Sequence, residues 1–277
     1  MRFLFDKQVL KHSPQNSYEG SYRFDEIKNN VPSQETKIQG EKYLELVHDI
    51  NYIETVKRAS EEEIFFAHMY NNKSSYDCAC LAVGMALEAS KKNLFSLSRP
   101  PGHHASKNIG EGYCLFNNVA IATKKLVEEG AKVVILDFDA HHGDGTQRIF
   151  LGNPAVRYFS IHEEGKWPFS GEEMGWKKNC FNYPIKKRSG DEKLLEWGRR
   201  IQDYTQDFNS DIIAISAGFD GLGKDRISNL EFSLNGYSKL GKMIGDLEKK
   251  TFAVLEGGYH NHVYNCAVKF RDGFNIA

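Results

Sequence analysis

The fold this sequence predicts is an α/β domain built on one mostly parallel sheet. Continuous apolar runs recur along the chain: KVVILDFD (132–139), VRYFSIH (156–162), DIIAISA (211–217) and TFAVLEG (251–257). Such runs suit strands buried on both faces. Stretches with helical spacing separate or follow them. Strands alternating with helices give a parallel sheet with helices on both sides. The 277 residues suit one large domain. No repeat, low-complexity tract or linker divides residues 1–277.

Taken in order, residues 20–40 are polar and read as loop, and Glu41 to Ser60 as helix. Residues 76–92 place Ala79, Val83, Ala86 and Leu87 on one helical face. NLFSLS (93–98) is a short strand. Residues 116–129 are helical and stop at Gly130, a C-cap. The four apolar runs follow as strands, with helices at about 191–208, 235–249 and 261–271.

Composition excludes several function classes. Hydrophobic residues make up 40% and charged residues 26%, ordinary for a soluble domain. The net charge of −1 gives no global attraction to nucleic acid or membrane. Five cysteines at irregular spacings read as reduced thiols in a cytoplasmic protein. The opening MRFLFDKQVL is too short and too charged for a signal peptide, and no apolar run is long enough to span a bilayer. Oligomeric state is not legible.

Five strands run into chemically capable residues. NLFSLS leads to His103 and His104, and KVVIL to Asp137, Asp139, His141 and Asp144. VRYFS leads to Ser160 and His162, DIIAIS to Asp220, and TFAVL to Tyr259. Ligands of open α/β sheets bind beyond the carboxyl ends of the strands, so parallel neighbours would bring these sets into one crevice. Each has a plainer role. Asp144 suits a helix N-cap, Asp220 a glycine turn, Ser160 a backbone bond and Tyr259 packing with a wet hydroxyl. One shared site explains all five together.

Residues two apart in an extended strand point the same way, so Asp139 and His141 can hold one ion, with Asp220 as a third ligand. One nitrogen and two carboxylates suit zinc, with iron(II) the competitor. Three protein ligands leave a position open for water and substrate. A nearby histidine can take a proton from that water and hand it to a leaving amine. Two adjacent histidines need different pKa values to divide this work, and Asp137 and Asp144 are the carboxylates suited to orient them. A tyrosine hydroxyl can donate to a developing oxyanion. Together these parts describe metal-assisted hydrolysis of an amide.

RPPGHHA, GYCLFNN, ILDFDAHHGDGTQ, FSIH, SAGFD and LEGGY resemble the zinc-dependent histone deacetylases and their prokaryotic relatives. The likeness runs in order from about residue 99 to 260, and SPQNSYEGSYRF resembles the family's first loop. RPPGHHA with LEGGY is nearer the class II and prokaryotic branches than class I. The resemblance implies an arginase-like fold, zinc on Asp139, His141 and Asp220, and His104 as general base and acid. His103 would be its electrostatic partner, with Asp137 behind His103 and Asp144 behind His104. Tyr259 would polarise the substrate carbonyl. Gly112, through its carbonyl, and Tyr113 would line an acyl-lysine tunnel. Trp167 would be the opposite wall, in place of the family's usual phenylalanine, and Ile227 an apolar rim residue. Family members often hold potassium near the zinc; Asp137, Ser160 and the carbonyls of Asp139, His141 and Ile161 match that site. The implied substrate is an acyl-lysine protein or peptide.

Other readings compete. Acetylpolyamine amidohydrolases use the same catalytic set on small cationic amides, and the acidic stretches 60–63 and 170–176 would suit a cation. The apolar Ile227, where polyamine-selective relatives carry an acid, favours acyl-lysine. A dimanganese ureohydrolase needs further bridging carboxylates, whereas SAGFD offers Asp220 alone. A silent acyl-lysine reader would gain nothing from the intact proton-transfer groups.

Overall fold

Among the described residues, eight strands form one sheet with the predicted apolar runs at its centre, and a two-stranded hairpin stands apart. In chain order the strands are β1 (Arg2–Leu4), the hairpin β2 (Phe65–Phe66) and β3 (Met69–Tyr70), and β4 (Leu94–Ser96). Then come β5 (Val133–Asp137), β6 (Val156–Glu163), β7 (Gly175–Lys177), β8 (Cys180–Ile185), β9 (Ile212–Ala217) and β10 (Lys250–Leu255). The sheet order is β1-β4-β10-β9-β5-β6-β8-β7, parallel except for the β7–β8 pair. This computed structural model describes residues 1–15 and 17–276. Asn16, within the first-loop stretch, and Ala277, at the end of the predicted domain span, lie outside the described residues.

The helices are α1 (Asp25–Asn30), α2 (Ile50–Glu61), α3 (Ser75–Lys92), α4 (Asn118–Glu128), α5 (Asp144–Phe150), α6 (Asp191–Gln206), α7 (Leu234–Gly245) and α8 (Val263–Ile276). Local chemistry sets several of their ends. The Asn117 side chain accepts from Ala120 N at 3.0 Å to start α4, and Ser233 accepts from Gly236 N at 3.1 Å to start α7. Asn93 ends α3 in the left-handed region, φ 54°, which asparagine tolerates. Gly130, at φ 91°, turns the chain out of α4 as expected. Aromatic rings fasten helices to the sheet: Phe138, just beyond β5, meets Phe219, Tyr237 of α7 and Phe270 of α8 with centroids 5.2–6.0 Å apart. No described helix is long and apolar enough to cross a membrane.

Some boundaries differ from the sequence reading. The helix expected over 41–60 is a 3-10 turn (Gly40–Leu46) followed by α2. The break follows from tertiary bonding, because Asp49 N donates to Lys107 O at 3.1 Å and Asp49 is extended. Gly40 also lies so close to α3 that a Cβ there would sit 2.0 Å from Cys80 O. The loop expected over 20–40 contains a 3-10 turn (Ser21–Phe24) and α1. The predicted strand 132–139 ends at Asp137, so Asp139 and His141 stand on the loop beyond it.

Candidate active site

The five strands singled out from the sequence are consecutive in the sheet, in the order β4-β10-β9-β5-β6, and all parallel. Loops leaving β4, β10, β9 and β5 therefore open at one edge, where the polar groups gather. Asp139, His141 and Asp220 place a ligand atom each within 4.8 Å of one another, all buried. His141 Nδ1 lies 2.7 Å from Asp220 Oδ2 and 3.2 Å from Asp139 Oδ1. The pleat of a strand does not create this convergence. Asp139 Oδ1 accepts from His141 N at 2.9 Å, and Oδ2 accepts from Gly257 N at 2.8 Å, which ties the β5 loop to the β10 loop. Asp220 Oδ1 accepts from Ala140 N at 2.7 Å across from β9, so it is not merely turn chemistry.

This donor set fits a divalent cation. Two carboxylates and an imidazole converge in the interior, where isolated charge is costly. Burial and the neighbouring Asp139 push the Asp220 carboxyl up to about 7, while burial of the Asp139 carboxyl is outweighed by His103 and His141, which hold it low.

The histidine pair sits beside the cluster, ring centroids 4.0 Å apart. His103 Nδ1 is 3.1 Å from Asp137 Oδ2, and His104 Nδ1 is 2.9 Å from Asp144 Oδ1. Burial alone would lower the pKa of His103, but Asp139 and Asp137 outweigh it and raise it well above the ordinary value. Burial, followed by the charge of His103, holds His104 well below it. Asp144 is the first residue of α5, not its N-cap; Gly143 takes that position, which leaves the Asp144 carboxylate to His104 and to Arg148 at 3.1 Å. Asp137 and Ser160 are register partners on β5 and β6, both fully buried. Ser160 Oγ bonds His162 Nδ1 at 2.8 Å. His162 lies within β6 and packs on His142, not on the cluster of Asp139, His141 and Asp220.

A pocket of about 300 Å³ reaches His104, His141 and Tyr259. The predicted Gly112, Tyr113, Trp167 and Ile227 line it. Trp167 stands edge-on to His104 at 4.6 Å, and Tyr113 edge-on to Tyr259 at 5.6 Å. Gly112, at φ 54°, is required: a Cβ there would sit 2.5 Å from His104 Cδ2 and 2.6 Å from the Trp167 ring. Its carbonyl accepts a weak bond from the Cys114 thiol at 3.4 Å. Tyr259 is 4% exposed, and burial raises its hydroxyl well above the ordinary value, so it is a neutral donor. A larger hollow of about 700 Å³, beside Lys107, Lys124 and Arg148, has none of these groups in its lining.

Sequence reasoning missed several contributors. Tyr158 Oη donates to Asp137 Oδ2 at 2.9 Å. The buried Glu256 accepts from Gly102 N at 2.7 Å, His103 N at 3.1 Å and Ser216 Oγ at 3.0 Å, joining the ends of β4, β9 and β10. Burial raises its carboxyl to about 7. Arg23 donates to Gly258 O and Glu256 O, each at 2.5 Å, and lies 4.7 Å over the Tyr259 ring. Glu19 pairs with both Arg23 and Arg99. His68 and Lys166 also line the pocket. Glu256, an acid at the end of an apolar strand, carried a sequence signal, and Glu19, Arg23 and Arg99 lie in stretches that carry the resemblance without their contacts being legible there.

A pocket that reaches a buried cluster of two carboxylates and an imidazole, a histidine pair and a tyrosine fits the deacetylases and amidohydrolases, enzymes that hydrolyse linear amides. The family profile described as "Histone deacetylase domain" matches residues 15–270. A probable deacetylase of Archaeoglobus fulgidus is 32% identical, with 92% of this chain and 80% of that protein aligned. The crystal structure of an HDA15 HD domain superposes with a TM-score of 0.89 at 28% identity, covering 99% of this chain and 87% of that one. An acetylpolyamine aminohydrolase from Burkholderia pseudomallei gives 0.85 at 26%, covering 99% and 98%. The chain spans 26% to 43% of the length of the plant and fungal histone deacetylases it matches. This chain belongs to the histone deacetylase family.

Proposed function

We propose that the protein is a zinc-dependent hydrolase that removes acetyl or other acyl groups from the side-chain amine of acyl-lysine in proteins or peptides. The observation that carries this reading is the pocket lined by Tyr113 and Trp167 that reaches His104, His141 and Tyr259. A long neutral stem with an amide at its tip fits it. Asp139, His141 and Asp220 would hold the ion, with iron(II) the alternative to zinc. When bound, it supplies Lewis acidity to the acyl oxygen and to the attacking water.

His104, held at Nδ1 by Asp144, is left with Nε2 to take a proton from water as its oxygen attacks the acyl carbon. That proton passes to the amine nitrogen as the C–N bond breaks, releasing a carboxylate and free lysine. His103, backed by Asp137, is the electrostatic partner. Tyr259 donates to the acyl oxygen as negative charge develops there. Asp137 and Ser160, with the carbonyls of Asp139, His141 and Ile161, would hold a structural potassium. Tyr113 and Trp167 flank the methylenes, and Ile227 forms an apolar rim.

Hydrolysis of acylated polyamines is the second reading, supported by the similarity to the Burkholderia pseudomallei structure. Turnover of an acetyl-lysine peptide and acetylspermidine side by side, before and after chelation and zinc readdition, tests both. The main reading expects zinc-restored hydrolysis of the peptide. Hydrolysis of acetylspermidine alone would replace it with the second, and chelation without effect would remove the metal assignment.

A further inference from the structure

The substrate class turns on what the pocket's mouth offers beyond the slot. Lysine carries a tetramethylene stem between its amide nitrogen and its Cα, and acetylspermidine acylated on its butyl arm carries the same spacer before its secondary ammonium. With the amide at the bottom, either the peptide backbone or a cation arrives at the rim. The rim's polar groups therefore discriminate between the two.

Those groups are donors. Lys166 lines the pocket next to Trp167 and takes no carboxylate partner among the described residues. His68, at the tip of the β2–β3 hairpin, also lines the mouth and stands edge-on to Trp167 at 5.3 Å. Its Nδ1 accepts from Gly112 N at 3.3 Å, so a neutral ring carries its proton on Nε2 and presents a donor. Arg226, exposed beside Ile227, lies 5.3 Å over the Tyr22 ring and is also outside any described ion pair. The nearest acid in sequence is turned away. The Asp225 side chain is fully buried, accepting from Ile227 N at 2.8 Å and Tyr259 N at 2.6 Å. Glu111 and Glu164, each close in sequence to a lining residue, are not themselves in the lining.

We propose that this mouth selects acyl-lysine carried in acidic polypeptide segments and disfavours acylated polyamines, with Lys166 and the Nε2–H of His68 meeting carboxylates and backbone carbonyls of the bound chain. The inference rests on the deacetylase reading above and adds the substrate's charge to it. An approaching ammonium would meet Lys166, and no carboxylate stands in the described lining to receive it. A flanking glutamate would gain an exposed ion pair, which is modest and screened by salt.

The test is steady-state hydrolysis by the zinc-loaded full chain of three substrates: an acetyl-lysine peptide flanked by glutamates, the same peptide flanked by lysines, and acetylspermidine. The expected order in kcat/KM is glutamate-flanked, lysine-flanked, acetylspermidine. The two peptides should differ by roughly threefold to tenfold, mostly in KM, and converge at high salt. Lys166→Glu should invert the peptide ratio, and Lys166→Gln should bring it near unity. Equal kcat/KM for the two peptides, a ratio unmoved by either Lys166 variant, or acetylspermidine as best substrate would overturn the inference while leaving amide hydrolysis intact. No turnover of any of the three would overturn the deacetylase reading, and this inference with it.

Discussion

Glu19→Gln removes the carboxylate that lies between two buried guanidinium groups, those of Arg23 and Arg99. Burial alone would raise the Glu19 carboxyl, but the two arginines outweigh it and hold it at about 2, against an ordinary 4.5. That difference corresponds to about 3 kcal/mol of stability at neutral pH, within the range for breaking a buried ion pair. A depressed carboxyl contributes its stability fully above the unfolded value, near 4.5, and loses it as the pH falls toward 2. The parent should therefore exceed the variant by about 3 kcal/mol in urea unfolding at pH 7, and that gap should shrink by about 1 kcal/mol by pH 4. Catalysis should suffer as well, since Arg23 holds the carbonyls of Glu256 and Gly258 and covers the Tyr259 ring. A loss below about 1 kcal/mol at pH 7, or a gap that does not narrow on acidification, would refute the assignment of Glu19 as the counter-charge.

Asp220→Ala should abolish stoichiometric zinc binding, and metal content equal to the parent's would remove Asp220 from the ligand set. Tyr259→Phe should keep its metal but lose kcat by about 100-fold or more, equivalent to about 3 kcal/mol of transition-state stabilisation; an unchanged kcat would contradict the oxyanion role. Gly112→Ala forces a Cβ to within 2.5 Å of His104 and 2.6 Å of Trp167 at a backbone φ of 54°. It should lower kcat/KM by more than about tenfold while global stability changes by only about 1–2 kcal/mol. Equal activity would show that the slot is wider than the geometry allows.

The sequence disclosed the centre of the sheet and the bottom of the pocket for a shared reason. Strands buried on both faces are continuous apolar runs, and the groups that gather at the site leave their ends. The sheet's flanks were less legible. β1 is three residues long, and β8 (CFNYPI) mixes Asn182 and Pro184 into its apolar pattern. β7 is three residues long and antiparallel, and its side chains are half-buried or exposed. The break in the expected 41–60 helix depends on Lys107 and Cys80, which no local period reports. Glu19 and Arg23 lie in the first-loop stretch that carries the resemblance, but their contacts, like those of His68, have no local signal. Arg23 and Gly258 are 235 positions apart, and the role of His68 depends on where a hairpin tip meets Gly112.

The separation of these groups along the chain also bears on how the protein assembles. His141 meets Asp220 across 79 positions, and Gly257 meets Asp139 across 118. Contacts so distant are slow to form, because the loop between them must close before either is rewarded. In the proposed zinc enzyme, metal capture should then trail collapse of the polypeptide during refolding, and the rate of metal uptake would serve as a clock for completion of the central strands.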